Sequence, residues 1–285
     1  MVVTIVATGV GVVLVLAALR DVFQTLLHPS GRGRISVVVT NVVWWSCHRL
    51  GTSAVRLSGP AAMVVVTVVW VGLVVIGWAL VYWPHMETGF SYSTSLEPTR
   101  RSDFVDAFYV SLVTLTTLGF GDVVPATWWL RLVAPVEGLI GFALLSAGVS
   151  WILQVYPALA RRRAVALHVH GLWSMRTVEL LGGLEPGAVA QILRDLAAGI
   201  DRIRVDLMQY EVIYYFAEPH RSTSLAAMAG YVLELSAAAQ ESGFGQVRHA
   251  GGMLDVSVAG LAEVLDSGYL HTGGTTATVL AAYGR

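Results

Sequence analysis

Residues 116–122 read TTLGFGD, an uncharged string with glycine at 119 and 121 that ends in a carboxylate and lies between two long apolar segments. Its meaning depends on what surrounds it. The chain has 285 residues, of which 55% are hydrophobic and only 13% charged, and its mean hydropathy is +0.65. Soluble domains carry about 25% charged residues, so a bilayer is the expected solvent here. The formal net charge is −1, every basic side chain apart from histidine is arginine, and no basic patch points to nucleic acid as a partner. Cys47 is the single cysteine; it excludes an intrachain disulfide and reads as a small buried hydrophobe.

Working outward from the string, three segments suit a membrane. From Pro60 to Trp83 no charge occurs, and about 24 residues suffice to cross a hydrocarbon core of about 30 Å. Trp128 to Tyr156 is also long enough, with Trp128, Trp129 and Tyr156 as interfacial anchors and Arg131 and Glu137 inside it. Val2 to Leu19 is the third, ended by Arg20 and Asp21. Arginines flank the inner ends: Arg20, Arg32, Arg34, Arg49 and Arg56 between the first two spans, and Arg161, Arg162 and Arg163 after the last. The excess of arginine on cytoplasmic flanks places the N-terminus outside and residues 157–285 inside the cell. Ile35 to Ser46 is apolar but too short to span; it suits either an interfacial helix under the membrane or a helix packed on the spans.

Residues 84–127 must then leave from and return to the outer face. Asp103 to Thr117 holds Phe104, Val105, Phe108, Tyr109, Val110, Leu112, Val113 and Leu115, a helix too short to cross, which dips in and comes back. Non-helical backbone at membrane depth is tolerated only when it is buried in protein or lines a water-filled cavity, so the carbonyls after this helix need water or ions. Glycines 119 and 121 allow backbone angles closed to other residues, and successive carbonyls can then face one axis. A ring of such strands replaces the hydration shell of a cation, with the Thr117 hydroxyl as a further oxygen ligand at the inner end. One chain supplies one strand and four are needed to ring an ion, which predicts a homotetramer.

On these residues the segment 103–156 resembles the pore module of the potassium channel family, with its pore helix, TTxGFGD filter and inner helix, nearest in character to bacterial two-transmembrane channels. The resemblance implies a filter of Thr117, Leu118, Gly119, Phe120 and Gly121, with K+ held by Thr117, Leu118, Gly119 and Phe120. It places Gly141 at the family's hinge glycine. Departures accompany it. Leu118 and Phe120 stand where valine and tyrosine are usual, Val110 stands at the place of a pore-helix tryptophan that often anchors the tyrosine, and Val113 replaces a carboxylate often found behind the filter. Asp122 therefore needs another donor, and Tyr109 is the best placed. Thr116 and Asp122 flank the filter as support. Glu137, one helical turn before Gly141, is expected to accept from Ser111 or Thr114 on the pore helix. Leu145, Val149 and Leu153 come next at helical spacing and suit a hydrophobic gate.

The cytoplasmic part offers no dinucleotide fingerprint, nucleophile elbow or metal-ligand spacing, so neither an enzyme nor a cofactor is expected. After Pro186, Val189, Leu193, Leu196, Ile200, Ile203, Leu207, Tyr210 and Tyr214 alternate at spacings of four and three, a seam for a subunit-joining coil or for a bundle closed by helices near 223–240 and 252–266. Glycine-rich breaks are expected at 182–183, 243–245, 251–252 and 273–274. The expectation is an all-α membrane protein: an N-terminal span in 1–27, a cytoplasmic or interfacial segment in 28–59, a pore domain in 60–157 and a helical cytoplasmic domain in 158–285. Its function is that of a potassium channel; the alternatives are a non-selective cation channel, a four-loop uptake transporter, against which the single filter string speaks, and a non-conducting membrane sensor with a vestigial pore.

Overall fold

The computed structural model describes residues 1–26, 28, 33–93 and 103–284; Arg32, one of the arginines between the first two spans, lies outside them. The described chain is mostly helical, and three of its helices are long and apolar enough to cross a membrane. They are α1 (Val2–Leu26), α4 (Ser58–Tyr82, leading into the turn that ends with α5, Met86–Gly89) and α7 (Trp128–Ser174). Between α1 and α4 lie α2 (Arg34–Leu50) and the single turn α3 (Thr52–Val55); between α4 and α7 lie strand β1 (Phe90–Tyr92), helix α6 (Asp103–Leu115) and strand β2 (Val123–Pro125). The chain forms two compact units, one of Met1–Trp45 and Ala61–Leu153, the other of Ser46–Pro60 and 154–285.

In the first unit α1 buries Ala7, Gly11, Val15, Ala18, Asp21 and Val22, one face at spacings of three and four. Gly11 and Gly77 let the backbones of α1 and α4 touch, since a Cβ on Gly77 would come within 2.8 Å of the Gly11 carbonyl oxygen. Small residues serve this purpose in membranes, where helices gain little from apolar burial and much from close packing. Asp21 is buried towards the C-terminal end of α1. Its carboxylate accepts from the backbone N–H of Ile35 at 2.8 Å and Ser36 at 3.0 Å, from the Ser36 hydroxyl, and from Trp70 Nε1 at 2.8 Å. The residue expected only to end the first span thus supplies a helix cap for α2 and fastens it to α4.

An all-helical pore was expected, and a two-stranded antiparallel ribbon corrects that. β1 pairs with β2 in the register Phe90↔Pro125, Ser91↔Val124 and Tyr92↔Val123, extended by Ser93 N–H to the Asp122 carbonyl at 2.7 Å and Ala126 N–H to the Gly89 carbonyl at 2.8 Å. Strands of three residues are too short to show a period of two, which is why the sequence hides them. The ribbon ties the residues after TTLGFGD to the end of α5. Beneath it Ala79, Tyr82, Met86, Phe90, Ala107, Val110 and Leu130 form a buried core.

The second unit is a helical bundle. Its elements are the part of α7 from Gln154 on, α8 (Thr177–Leu180), α9 (Pro186–Gln209), α10 (Leu225–Gln240), α11 (Gly245–Leu265) and α12 (Thr276–Tyr283). Glu185 caps α9, accepting from Gly187 N–H at 2.9 Å and Ala188 N–H at 2.6 Å, and these two N–H groups hold its carboxyl below the usual carboxylate range. The expected seam is the buried face of α9 from Val189 to Leu207, facing α11 through Leu254, Val258 and Leu261. It stops there: α9 ends at Gln209, and Tyr214 sits in a 3-10 turn, its ring stacked on Tyr269 at 4.1 Å between centroids. The break expected at Gly251-Gly252 is absent, because both lie inside α11. Gly251 is there for proximity, since a Cβ would stand 2.8 Å from that of Ala239 on α10. The third span was expected to end at Tyr156, but α7 continues through Arg161–Arg163 to Ser174, since leaving the membrane is no reason for a helix to stop.

These arginines are engaged. Arg161 pairs with Asp206 at 2.6 Å. Arg162 is buried and donates to the carbonyls of Ile213 at 2.8 Å and Phe216 at 2.6 Å, and Arg163 donates to Glu218 at 2.8 Å. The same 213–218 stretch meets the start of α4, where the Ser58 hydroxyl donates to the Tyr215 carbonyl at 2.7 Å and Gly59 leaves room for the Phe216 ring.

Candidate functional site

The string TTLGFGD begins where α6 ends, and the way α6 ends decides its shape. Thr117 N–H donates to the Thr114 carbonyl and Leu118 N–H to the Val113 carbonyl, each at 3.0 Å. With Thr117 at φ +60°, this is the Schellman pattern that closes many helices. Glycine usually takes the left-handed position because a side chain there is disfavoured by about 1–2 kcal/mol. A β-branched threonine in that place is an outlier of the kind that concentrates at functional sites. Gly119 and Gly121 are at φ +56° and +78°, while Leu118 and Phe120 between them are not left-handed. The glycines were expected to open such angles; the strain at Thr117 was not legible, because threonine carries no local signal for it.

The two threonines play different parts. The Thr116 hydroxyl is spent on its own helix, donating to the Leu112 carbonyl at 2.7 Å. Leu118 and Phe120 are 61% and 67% exposed in the single chain, and a cleft of about 750 Å³ opens beside them, lined by Val113, Thr117, Gly119, Val124, Arg131 and Pro135 among others. At the far end of the string, Tyr109 Oη donates to Asp122 Oδ2 at 2.7 Å and Val123 N–H to Asp122 Oδ1 at 3.1 Å. The donor sought for Asp122 is therefore in place, on the helix that leads into TTLGFGD.

Glu137 is fully buried where three helices meet. Of the two expected donors Ser111 is the one that reaches it, at 2.5 Å, and the Ser111 hydroxyl also stands 3.0 Å from the Val75 carbonyl. A second donor was missed: Tyr82 Oη at 2.7 Å from Glu137 Oε2. The carboxyl thus joins α4, α6 and α7, and each of its oxygens has a hydroxyl partner. A tyrosine late in an uncharged apolar run was the one available signal, and it reads equally well as an interfacial anchor.

Gly141 lies directly against the end of α6, where a Cβ would collide with the Leu115 carbonyl. Helix α7 runs unbroken through it. Leu145, Val149 and Leu153 are exposed on a shared face of that helix, at the spacing of four that stacks side chains one above another.

Residues 69–156 match the model of a family described as ion channel, which is a family of channels and not of enzymes. The chain is 29% identical over 170 residues to "Uncharacterized membrane protein YdjJ" of Bacillus subtilis, covering 57% of this chain and 48% of the relative. It is 28% identical over 141 residues to "Putative potassium channel protein RPA4233" of Rhodopseudomonas palustris, covering 49% and 32%. It is 42% identical over 55 residues to "Two-pore potassium channel 5" of Arabidopsis thaliana, covering 18% and 14%. The chain thus spans less than half the length of these relatives. No solved structure matches it.

Proposed function

We propose that this protein is a potassium-selective ion channel conducting passively through a homotetrameric pore. The observation that carries the reading is the alternation of left-handed backbone at Thr117, Gly119 and Gly121 directly after the short helix α6. In an ordinary strand successive residues point to opposite sides. Alternating the sign of φ cancels that alternation, and consecutive carbonyls then turn to one side, where four copies surround a dehydrated cation. The carbonyls of Thr117, Leu118, Gly119 and Phe120 and the Thr117 hydroxyl are the proposed ligands. The exposed Leu118 and Phe120 and the open cleft beside them support the tetramer, since apolar side chains and an unfilled flank in one chain call for neighbours. The names of two relatives add potassium to the case.

Within this reading the N-terminus lies outside and the second unit is cytoplasmic, as the arginine flanks require. Leu145, Val149 and Leu153 form an apolar constriction that gates by dewetting, with Gly141 as the point about which α7 adjusts. Purified protein in liposomes with opposed potassium and sodium gradients tests the function. Potassium is expected to pass ahead of sodium by roughly tenfold or more. Equal permeability would leave the non-selective alternative, and no flux from a correctly inserted tetramer would leave the sensor.

The Tyr109–Asp122 contact gives a finer test. A hydrogen bond to a charged acceptor contributes about 1.5–3 kcal/mol, so Tyr109→Phe should loosen the outer filter. Single-channel recording is expected to show shorter openings or weaker selectivity at unchanged tetramer yield. Openings identical to those of the parent would mean that the ribbon alone holds Asp122.

A further inference from the structure

Residues 213–216 hold more of the second unit together than their length suggests. They close the 3-10 turn Glu211–Tyr215 that follows α9. On one side they belong to the bundle, where the Tyr214 ring stacks on Tyr269, just beyond α11, and lies 6.2 Å between centroids from Tyr283 of α12. On the other side they grip two helices that run on into the first unit, α4 and α7. Arg162 of α7 donates to the carbonyls of Ile213 and Phe216, and the Tyr156 ring, six residues earlier, meets the Phe216 ring edge-on at 6.4 Å between centroids. From the start of α4 the Ser58 hydroxyl donates to the Tyr215 carbonyl, and a Cβ on Gly59 would collide with the Phe216 ring.

The bonds of this joint differ in kind from the apolar seam between α9 and α11. They are a guanidinium on carbonyls, a hydroxyl on a carbonyl and one aromatic wedge, and each hydrogen bond can be exchanged for one to water at small net cost. Arg162 and its partner Glu218 are both buried. A buried ion pair often holds a fold no better than apolar side chains of the same volume, and its best-attested use is in fixing a register or serving a switch. Helix α7 is unbroken between Gly141, pressed on the end of α6, and Arg162, so a displacement at Arg162 is carried along it to Leu145, Val149 and Leu153. We propose that residues 213–216 are a latch by which the bundle holds the start of α4 to α7, and that its release lets α7 move about Gly141 and change the width at those three side chains. The latch rests on the channel reading, because the constriction it governs is part of that reading.

Gly59→Ala and Phe216→Ala test it in the full chain in liposomes. Alanine is preferred to glycine in a helix, and the nearest atoms that its Cβ would meet at position 59 all belong to the Phe216 ring. Each variant is expected to shift the open probability by about fivefold or more, both in the same direction, at unchanged preference for potassium over sodium. The double variant should behave as Phe216→Ala alone, because without the ring the added methyl strikes nothing. Ser58→Ala, which removes one hydroxyl and leaves the packing alone, should shift gating the same way by a smaller factor. The rate at which a soluble thiol reagent modifies Leu153→Cys in a Cys47→Ser background should follow the same pattern. Parent-like gating and modification rates in Gly59→Ala and Ser58→Ala would reduce the joint to packing, and additive effects of Gly59→Ala and Phe216→Ala would mean that they do not act through one contact; either result overturns the latch. Modification rates that shift in a chain carrying no current would overturn the channel reading and leave the latch standing.

Discussion

Gly119→Ala is expected to cut potassium flux by about a thousandfold or more while leaving the tetramer assembled. Gly119 sits at φ +56° and a Cβ there would meet nothing within 4 Å in the chain, so the cost is one of backbone conformation and not of crowding. An L-residue in the left-handed region costs about 1–2 kcal/mol. In a fourfold filter all four copies must adopt it together, about 4–8 kcal/mol, and 1.4 kcal/mol is a factor of ten. Gly72→Ala is the matched control: its Cβ is equally unobstructed, and it lies inside α4, where alanine is preferred to glycine. Flux through reconstituted channels of verified size reads both. A Gly119→Ala channel that conducts within about tenfold of its parent would mean that the left-handed turn at 119 is not part of the conducting conformation.

The second large effect is expected at Glu137, through a contrast between two replacements. Alanine takes away the carboxylate to which the Tyr82 hydroxyl donates and opens a void; a buried hydroxyl left unpaired costs about 1–3 kcal/mol. Ser111 is the lesser loss because the Val75 carbonyl is already within reach at 3.0 Å. The sum, about 2–5 kcal/mol with the void included, is a large part of the roughly 5–15 kcal/mol that holds a typical domain together. Glutamine has nearly the same shape and keeps an oxygen for one hydroxyl and an amide for the other. Glu137→Gln should therefore keep selective flux and thermal stability, whereas Glu137→Ala should lose yield and flux together. Equal behaviour of the two variants would remove Glu137 from the proposed support of the filter.

The stretch that matches the ion channel model is largely legible in the sequence because its signals are local. A charge-free run marks α4, and a short apolar helix running into TTLGFGD marks α6 and the turn after it. The hidden features depend on partners far along the chain. Asp21 reads as the end of a span because its donors come from positions 15 and 49 residues away. Tyr82 and Glu137, 55 residues apart, give no sign of each other. Gly251 is ambiguous in a different way, since glycine marks both chain breaks and close helix approaches, and only the neighbour decides between them. The strain at Thr117 belongs to a third kind, a left-handed conformation at a residue whose own preference lies elsewhere.

The three arginines after the third span have a history as well as a place. Arg161 finds its acid 45 residues later and Arg163 its acid 55 residues later. At about 5–20 residues per second, synthesis of the chain would leave these charges without those partners for roughly 2–11 s. During that interval they stand as bare cations beside a segment entering the bilayer, which is when orientation is decided. Once residues 206–218 arrive, Arg161 and Arg163 are paired with Asp206 and Glu218, Arg162 is buried, and all three become fasteners. In the proposed orientation an address label is thus consumed in assembling the object it directs, and a substitution at any of the three would be felt at two separate moments in the life of the protein.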